Sequence, residues 1–230
     1  MVNMKENIIL AVDTTSSPLL VCLKKGKNKA ISIKKNGVKQ EEYLFPAIKK
    51  ALAKENISLK DVTKVFYVRG PGRFTGIRIG LTLAGMLRGL TGAEACSATM
   101  FEVLYLQTQN SKEFKTWIKN NLGGKAAVVL HAFREEYFLQ IFDGSEPRWF
   151  DKEEMFAFMA SYNAPLFVTG FDKEKTSLNE MFAGAKYTLG SAKLCSVNKN
   201  SLINMALITG FEKNTLEPLY LKPARFELGK

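Results

Sequence analysis

Two segments of this 230-residue chain combine residue types suited to holding phosphate, a metal ion or a protein partner. The first, Asp13-Thr14-Thr15-Ser16-Ser17, directly follows an apolar run. A carboxylate followed by hydroxyls in a hairpin turn can hold a hydrated metal ion and hydrogen-bond phosphate oxygens. The same residues also make an Asx-turn, in which Asp13 and the hydroxyls satisfy nearby backbone groups. In isolation the pentapeptide fits that local role better. The second segment, residues 69–80, reads RGPGRFTGIRIG. It lies between a strand pattern and a helix pattern, so its backbone N–H groups point where an anion or a partner could sit. It is not a Walker loop, because no Gly-Lys-Ser/Thr follows. It also misses the dinucleotide fingerprint: Gly70 and Gly72 fit, but Gly76 falls one position late. Gly70, Pro71 and Gly72 also suit a tight turn, with Arg73 beyond it and Thr75 as a helix N-cap.

The helix that follows is unusual in holding Gly76, Gly80, Gly85 and Gly89. Each costs about 1 kcal/mol against alanine, so something must offset roughly 3–4 kcal/mol of poor helix propensity. Gly76, Gly80 and Ala84 recur every four residues and form a smooth stripe that another backbone can approach closely. The protein's own sheet could fill that stripe, or a helix of another subunit could, and the residues leave both readings open. On the second reading, Gly80→Leu blocks association while the monomer stays folded. Asp13→Ala, by contrast, is expected to leave assembly intact.

Other chemistry is sparse. The chain has one histidine, His131, and no His/Cys/Glu cluster at metal-ligand spacing. A lone histidine beside a strand reads as a packed or turn residue. Cys22 and Cys96 fall in strand-like runs that suit burial, and Glu135 and Glu136 read as a solvated turn. No Ser/His/Asp order suggests a nucleophilic hydrolase.

The elements that must position these residues follow from hydrophobic periodicity. Residues 8–12, 19–23, 30–33, 65–68 and 93–96 read as strands, and residues 43–54 and 75–90 as helices. Leu44, Ile48, Ala51 and Leu52 share one face of the first helix, and Pro46 is placed in its first turn. A similar order returns later. Residues 126–130 and 136–142 read as paired strands around a turn at 133–135. Trp149-Phe150 continues the sheet, and residues 151–160 form a helix N-capped by Asp151. Residues 166–169 and 187–189 complete the strands, and residues 200–209 form the last helix. The boundary between the halves is read near residues 107–115 or at Gly123-Gly124. These mixed strands and helices give an α/β fold.

Composition agrees with a soluble globular chain: 46% hydrophobic and 24% charged residues, with apolar runs too short to span a bilayer. The N-terminus carries no secretory signal pattern, so the cytoplasm is the expected location and no membrane association is expected. Three widely separated cysteines fit reduced core thiols. The net charge of +11 would attract a phosphate backbone or an acidic partner. That charge reads as spread along the chain, densest at residues 24–29, and no aromatic-interleaved RNA module accompanies it.

IILAVDTTSSPLLVCL, GPGRFTGIRIGLTLAGMLRGL and the tail EPLYLKP together resemble the TsaB family, a relative of TsaD within the actin, hexokinase and Hsp70-like ATPase (ASKHA) fold. The resemblance runs almost end to end, with most weight in the first hundred residues. It implies two similar subdomains, the second reduced: residues 1–106, residues 107–212, and a tail, 213–230, packing back on the first. It further implies a non-catalytic subunit that binds TsaD directly, reaches TsaE and tRNA through the complex, and forms a homodimer when alone. That complex transfers a threonylcarbamoyl group to the adenosine beside the anticodon of ANN-decoding tRNAs. No cofactor is implied for the chain itself, whereas the assembled complex uses ATP and a metal ion. Docking in the family uses the two helices of the first subdomain, here about residues 42–54 and 75–90. Leu44, Ile48, Gly76, Arg78, Gly80, Leu83, Ala84 and Leu87 are the partner-binding residues on this reading, and Asp13, Thr14 and Thr15 a vestigial phosphate turn.

TsaD carries an HxxxH metal motif after the strand following the second helix. The matching stretch here, ACSATMFEVLYLQ, has no histidine, so catalysis of that kind and zinc-protease activity are not expected. The chain also departs from its family. Arg73 replaces the serine of GPGSFTG, Gln40-Glu41-Glu42 replaces His-Ser-Glu, and His131-Ala132-Phe133 replaces Asp-Ala-Arg. The alternative is a small-molecule kinase of the same fold, with ATP between the subdomains. It would need a second phosphate hairpin, and the turn at 133–135 has neither glycine nor hydroxyl.

Overall fold

The computed structural model describes residues 6–171, 178–179, 181–183 and 187–222. The chain divides into two units, each built on a five-stranded mixed sheet.

The first unit comprises residues 6–100 together with 198–219. Its strands are β1 (Ile8–Asp13), β2 (Leu19–Lys25), β3 (Ile31–Lys35), β4 (Lys64–Val68) and β5 (Glu94–Ala98), in the order β3-β2-β1-β4-β5. β1 to β3 pair antiparallel, and β4 and β5 add in parallel to β1. All six residues of β1 are buried, as a central strand covered on both faces requires. Alternation sorts them. Ile8, Leu10 and Val12 face a core shared with α1 (Gln40–Ala53) and α2 (Phe74–Thr91). Ile9 and Ala11 therefore point to the opposite face. There α6 (Lys199–Ile208) packs on β1, β2 and β5. Lys64 Nζ, at the start of β4, donates to the α6 carbonyl of Ala206 (3.4 Å) and to that of Thr209 (3.0 Å), a cation at a helix C-terminus.

The second unit comprises the described residues between 101 and 197 together with 220–222. β6 (Lys125–Phe133), β7 (Glu136–Ile141), β8 (Arg148–Asp151), β9 (Leu166–Phe171) and β10 (Thr188–Leu189) lie in the order β10-β9-β6-β7-β8. Read from the other edge, this is the first sheet again, with two antiparallel and two parallel pairings in the same places. Reduction shows in β10, only two residues long, and in α5 (Lys152–Ala160), nine residues against fourteen in α1. Asp151 caps α5 through a capping box, as the sequence predicts.

Four expectations need correction. The polar stretch read as a boundary is helical: α3 (Met100–Asn110) and α4 (Lys112–Asn120) fill it, α4 capped by Ser111, whose hydroxyl accepts from Phe114 N at 3.1 Å. Trp117 of α4 packs with Phe167 and Leu194, which is why so polar a segment folds. The last helix, counted with the second half, belongs to the first unit, whose sheet needs a cover on its second face. Pro46 is not in the first turn of α1, because that helix begins at Gln40. Finally, the N-cap of α2 is Arg73 rather than Thr75, with no side-chain capping bond. The tail returns to the first unit as far as residue 219, and residues 223–230 lie outside the described residues.

Candidate functional site

The turn between β1 and β2 is buried: Asp13 is 1% exposed, Thr14 0% and Thr15 1%. Asp13 Oδ1 accepts from Thr15 N (2.9 Å), Thr15 Oγ1 (2.8 Å) and Ser16 N (3.3 Å), and Oδ2 accepts from Ser16 Oγ (2.6 Å). The carboxylate is thus spent on its own turn, the Asx-type use of these residues. The turn in turn anchors both helices. Thr14 Oγ1 donates to the Gly76 carbonyl at 2.6 Å, and Arg73 N donates to the Thr15 carbonyl at 2.8 Å. Gln40, at the start of α1, donates from Nε2 to the Ser16 carbonyl at 2.6 Å. Sequence reasoning noted Gln40 only as a departure from a family pattern, because a polar residue at a helix start gives no signal of burial.

The loop before α2 is fixed as tightly. Gly70 has φ +118°, a conformation that side-chain-bearing residues rarely adopt, and its carbonyl accepts from Met100 N at 2.7 Å. Arg69 donates its N–H to the Ala98 carbonyl (3.0 Å) and accepts at its own carbonyl from Leu219 N (2.8 Å). Pro71 is buried, whereas Gly72, Arg73 and Thr75 are exposed.

The glycine stripe faces inward. A Cβ on Gly76 would lie 1.8 Å from the Thr14 carbonyl oxygen, and one on Gly80 would lie 3.0 Å from both Thr14 Oγ1 and Tyr67 Cδ2. The stripe lets α2 press on the β1–β2 turn and on β4, so the first of the two open readings holds. Gly80→Leu would therefore disturb the fold itself. Gly85 and Gly89 meet nothing within 4 Å.

The eight residues read as partner-binding divide accordingly. Leu44, Ile48, Gly76, Gly80, Leu83, Ala84 and Leu87 are buried within the first unit, and only Arg78 is exposed. The accessible surface of α1 and α2 is offset by part of a turn from that stripe. It carries Phe45 and Phe74 at 49% and 52% exposure, with Ile79 and Met86 half-buried. An apolar groove of about 440 Å³ runs between the helices, lined by Phe45, Phe74, Arg78, Ile79 and Met86 among others. The Arg78 guanidinium lies 4.0 Å from the centroid of the Phe74 ring. Exposed apolar patches of this kind mark association surfaces. The sequence could have shown this face, since Phe45, Phe74 and Met86 sit off the core stripes of their helices.

Burial pushes the Cys22 and Cys96 thiols up to about 12, which keeps them protonated at neutral pH. His131 Nε2 donates to the Arg134 carbonyl at 2.9 Å, a turn contact. Glu135 and Glu136 pair with Lys152 (3.5 Å) and Lys222 (2.6 Å). Among the described residues no group of three or more His, Cys, Asp or Glu side chains could hold a metal ion, and no helix is long and apolar enough to cross a membrane.

Two units repeating one strand order, with helices packed on each sheet, define a protein of the actin-like α/β class. The structure of YeaZ from Pseudomonas aeruginosa shares this fold, with a TM-score of 0.68 at 17% identity over 94% of this chain and all of that one. A second structure, described as similar to peptidase YEAZ from the same organism, gives 0.69 at 18%, again over 94% of this chain and all of that one. The sequence model of TsaD, tRNA N6-adenosine threonylcarbamoyltransferase, matches residues 37–112. The tRNA threonylcarbamoyladenosine biosynthesis protein TsaB of Buchnera aphidicola (Schizaphis graminum) is 40% identical over 82 residues, 35% of this chain and 39% of that protein. Escherichia coli TsaB is 28% identical over 146 residues, 63% of this chain and 59% of that protein. The matches thus span roughly two fifths to three fifths of these curated relatives. Over these spans the chain is similar to TsaB proteins.

Proposed function

We propose that this chain is an accessory subunit in the biosynthesis of threonylcarbamoyladenosine in tRNA, docking on a TsaD-type transferase without catalysing the transfer itself. The likeness to TsaB proteins supports the pathway, and the apolar groove between α1 and α2 is the observation that carries the docking role. Phe45, Phe74, Ile79 and Met86 offer a contiguous surface that a helix of the partner, or of a second copy, could bury. The local use of the Asp13 carboxylate, which accepts from the backbone and hydroxyls of its own turn, supports leaving the metal and ATP chemistry to the other subunits.

Co-purification with TsaD from the same organism, followed by a threonylcarbamoylation assay with and without this chain, tests the reading. Activity that requires the chain, with none from the chain alone, is the expected result. Phe74→Asp and Met86→Asp, which place a charge in the groove, are expected to weaken TsaD binding by about tenfold or more. A wild-type chain that neither binds TsaD nor alters the reaction ends the proposal.

A further inference from the structure

The positive charge, which reads along the sequence as spread, is concentrated in one part of the first unit. Residues 24–60 hold eleven Lys, no Arg and no Asp against three Glu, and so carry +8 of the net +11. They form the end of β2, the edge strand β3, and α1 with its flanking turns. Local bonds gather them. Lys24 Nζ donates to the Asn28 carbonyl (3.0 Å), Lys25 Nζ to the Glu55 carbonyl (3.4 Å), and Asn28 Nδ2 to Glu55 Oε2 (2.8 Å). The β2–β3 hairpin, bearing exposed Lys27 and Lys29, is thereby pinned to the C-terminal end of α1, where Lys54 sits.

Helical geometry then separates this surface from the groove. At 100° per residue, Tyr43, Lys50 and Lys54 occupy one flank of α1, while Glu41 and Phe45, which line the groove, occupy the other. The lysine flank faces away from α2, because α1 packs over β2 and β3 and α2 over β4 and β5. Lys27, Lys29, Lys34, Lys50 and Lys54 are all exposed, and none forms an ion pair with a described residue. Protection of an edge strand explains Lys34 and Lys35 alone; it leaves the hairpin and helix lysines without a role.

We propose that this lysine face binds the phosphate backbone of RNA directly, so that the subunit contributes its own nucleic-acid contact while the groove holds its partner. Unpaired lysines on several elements, with Tyr43 as a single exposed aromatic ring beside them rather than a row of stacking rings, match backbone contact without sequence readout. The choice of RNA among polyanions rests on the role proposed above.

The test titrates fluorescently labelled bulk tRNA with the full chain at several salt concentrations. The wild type is expected to bind with an affinity that falls steeply as salt rises. The variant K27Q/K29Q/K50Q/K54Q is expected to bind about tenfold or more weakly, with a log–log salt slope shallower by about two or more. The charge-retaining variant K27R/K29R/K50R/K54R is expected to bind like the wild type, which separates lost charge from lost structure. The glutamine variant is expected to co-purify with TsaD normally, and Phe74→Asp to show the reverse pattern. Failure of wild-type TsaD binding thus strikes the proposed function, while the tRNA titration is read separately. No tRNA binding at about 100 mM salt, an unchanged affinity and slope in the glutamine variant, or capture only by polyglutamate or anionic vesicles overturns the inference.

Discussion

The β1–β2 turn and the β6–β7 turn occupy the same place in two sheets of one strand order, yet they are built in opposite ways. In the first, Asp13, Thr14 and Thr15 are buried and bound to each other, to α2 and, through Ser16, to α1. In the second, Phe133 is 51% exposed, Arg134 has φ +54° with its guanidinium 5.1 Å from the Phe133 ring centroid, and the pairing shifts between His131 and Phe133. One turn is a clamp, and the other is a surface loop. Topology copied the position without copying the job: the first turn seats the eighteen-residue α2 through Thr14 and Gly76, whereas the second meets the start of the nine-residue α5 through Glu135 and Lys152.

Perturbing α2 at that seat gives the largest expected effect. Gly76→Ala puts a methyl group 1.8 Å from the Thr14 carbonyl, and is expected to destabilise the first unit by at least about 3 kcal/mol. Pulsed alkylation resolved by peptide reads this in Cys22 and Cys96, whereas Trp117 and Trp149 fluorescence reports on the second unit. Exposure of the two thiols at lower urea, with tryptophan unfolding little changed, supports the clamp; coincident shifts would mean that the units unfold together. Asp13→Ala comes next. It leaves the Thr15 and Ser16 donors without their acceptor and is expected to cost about 2–3 kcal/mol by the same measurement. An effect below about 0.5 kcal/mol would make the turn no more structural than its counterpart.

Alkaline pH sharpens the contrast further. The Cys22 and Cys96 thiols are raised from 9.0 to about 12 by burial. Above pH 9 the unfolded chain loses these protons while the folded first unit keeps them. Its stability should therefore fall as pH rises from 9 toward 12, by up to about 1.4 kcal/mol per thiol per pH unit. Urea midpoints read by alkylation of other first-unit probes, or by circular dichroism, check the direction. Arg134→Ala, on the exposed turn, has the smallest expected effect, within about 0.5 kcal/mol in a tryptophan-monitored urea titration.

Most strands and the two principal helices were legible because each writes its burial into a local period. Ile8, Leu10 and Val12 alternate with Ile9 and Ala11, and Leu44, Ile48 and Ala51 recur at helical spacing. α3 and α4 were missed because their polar residues look like a linker until Trp117 is seen against Phe167. The candidate site was read less well. The stripe of Gly76, Gly80 and Ala84 was visible, but the surface it meets was not; of the eight residues read as partner-binding seven are buried, while Leu44, Arg78 and Leu83 also line the groove.

The sequence by itself determined the element types, the repeated α/β order, the family likeness and the charge surplus. All of these depend on composition or on spacing along a single segment. Tertiary structure alone decided that the glycine stripe turns inward, that α6 covers the first sheet, and that the β2–β3 hairpin with its lysines is pinned to the end of α1. Each of those is settled by contacts between distant residues, such as Thr14 with Gly76, 62 positions apart, or Lys64 with Thr209, 145 apart. A periodic pattern states which face of an element is buried, and only the assembled chain states against what.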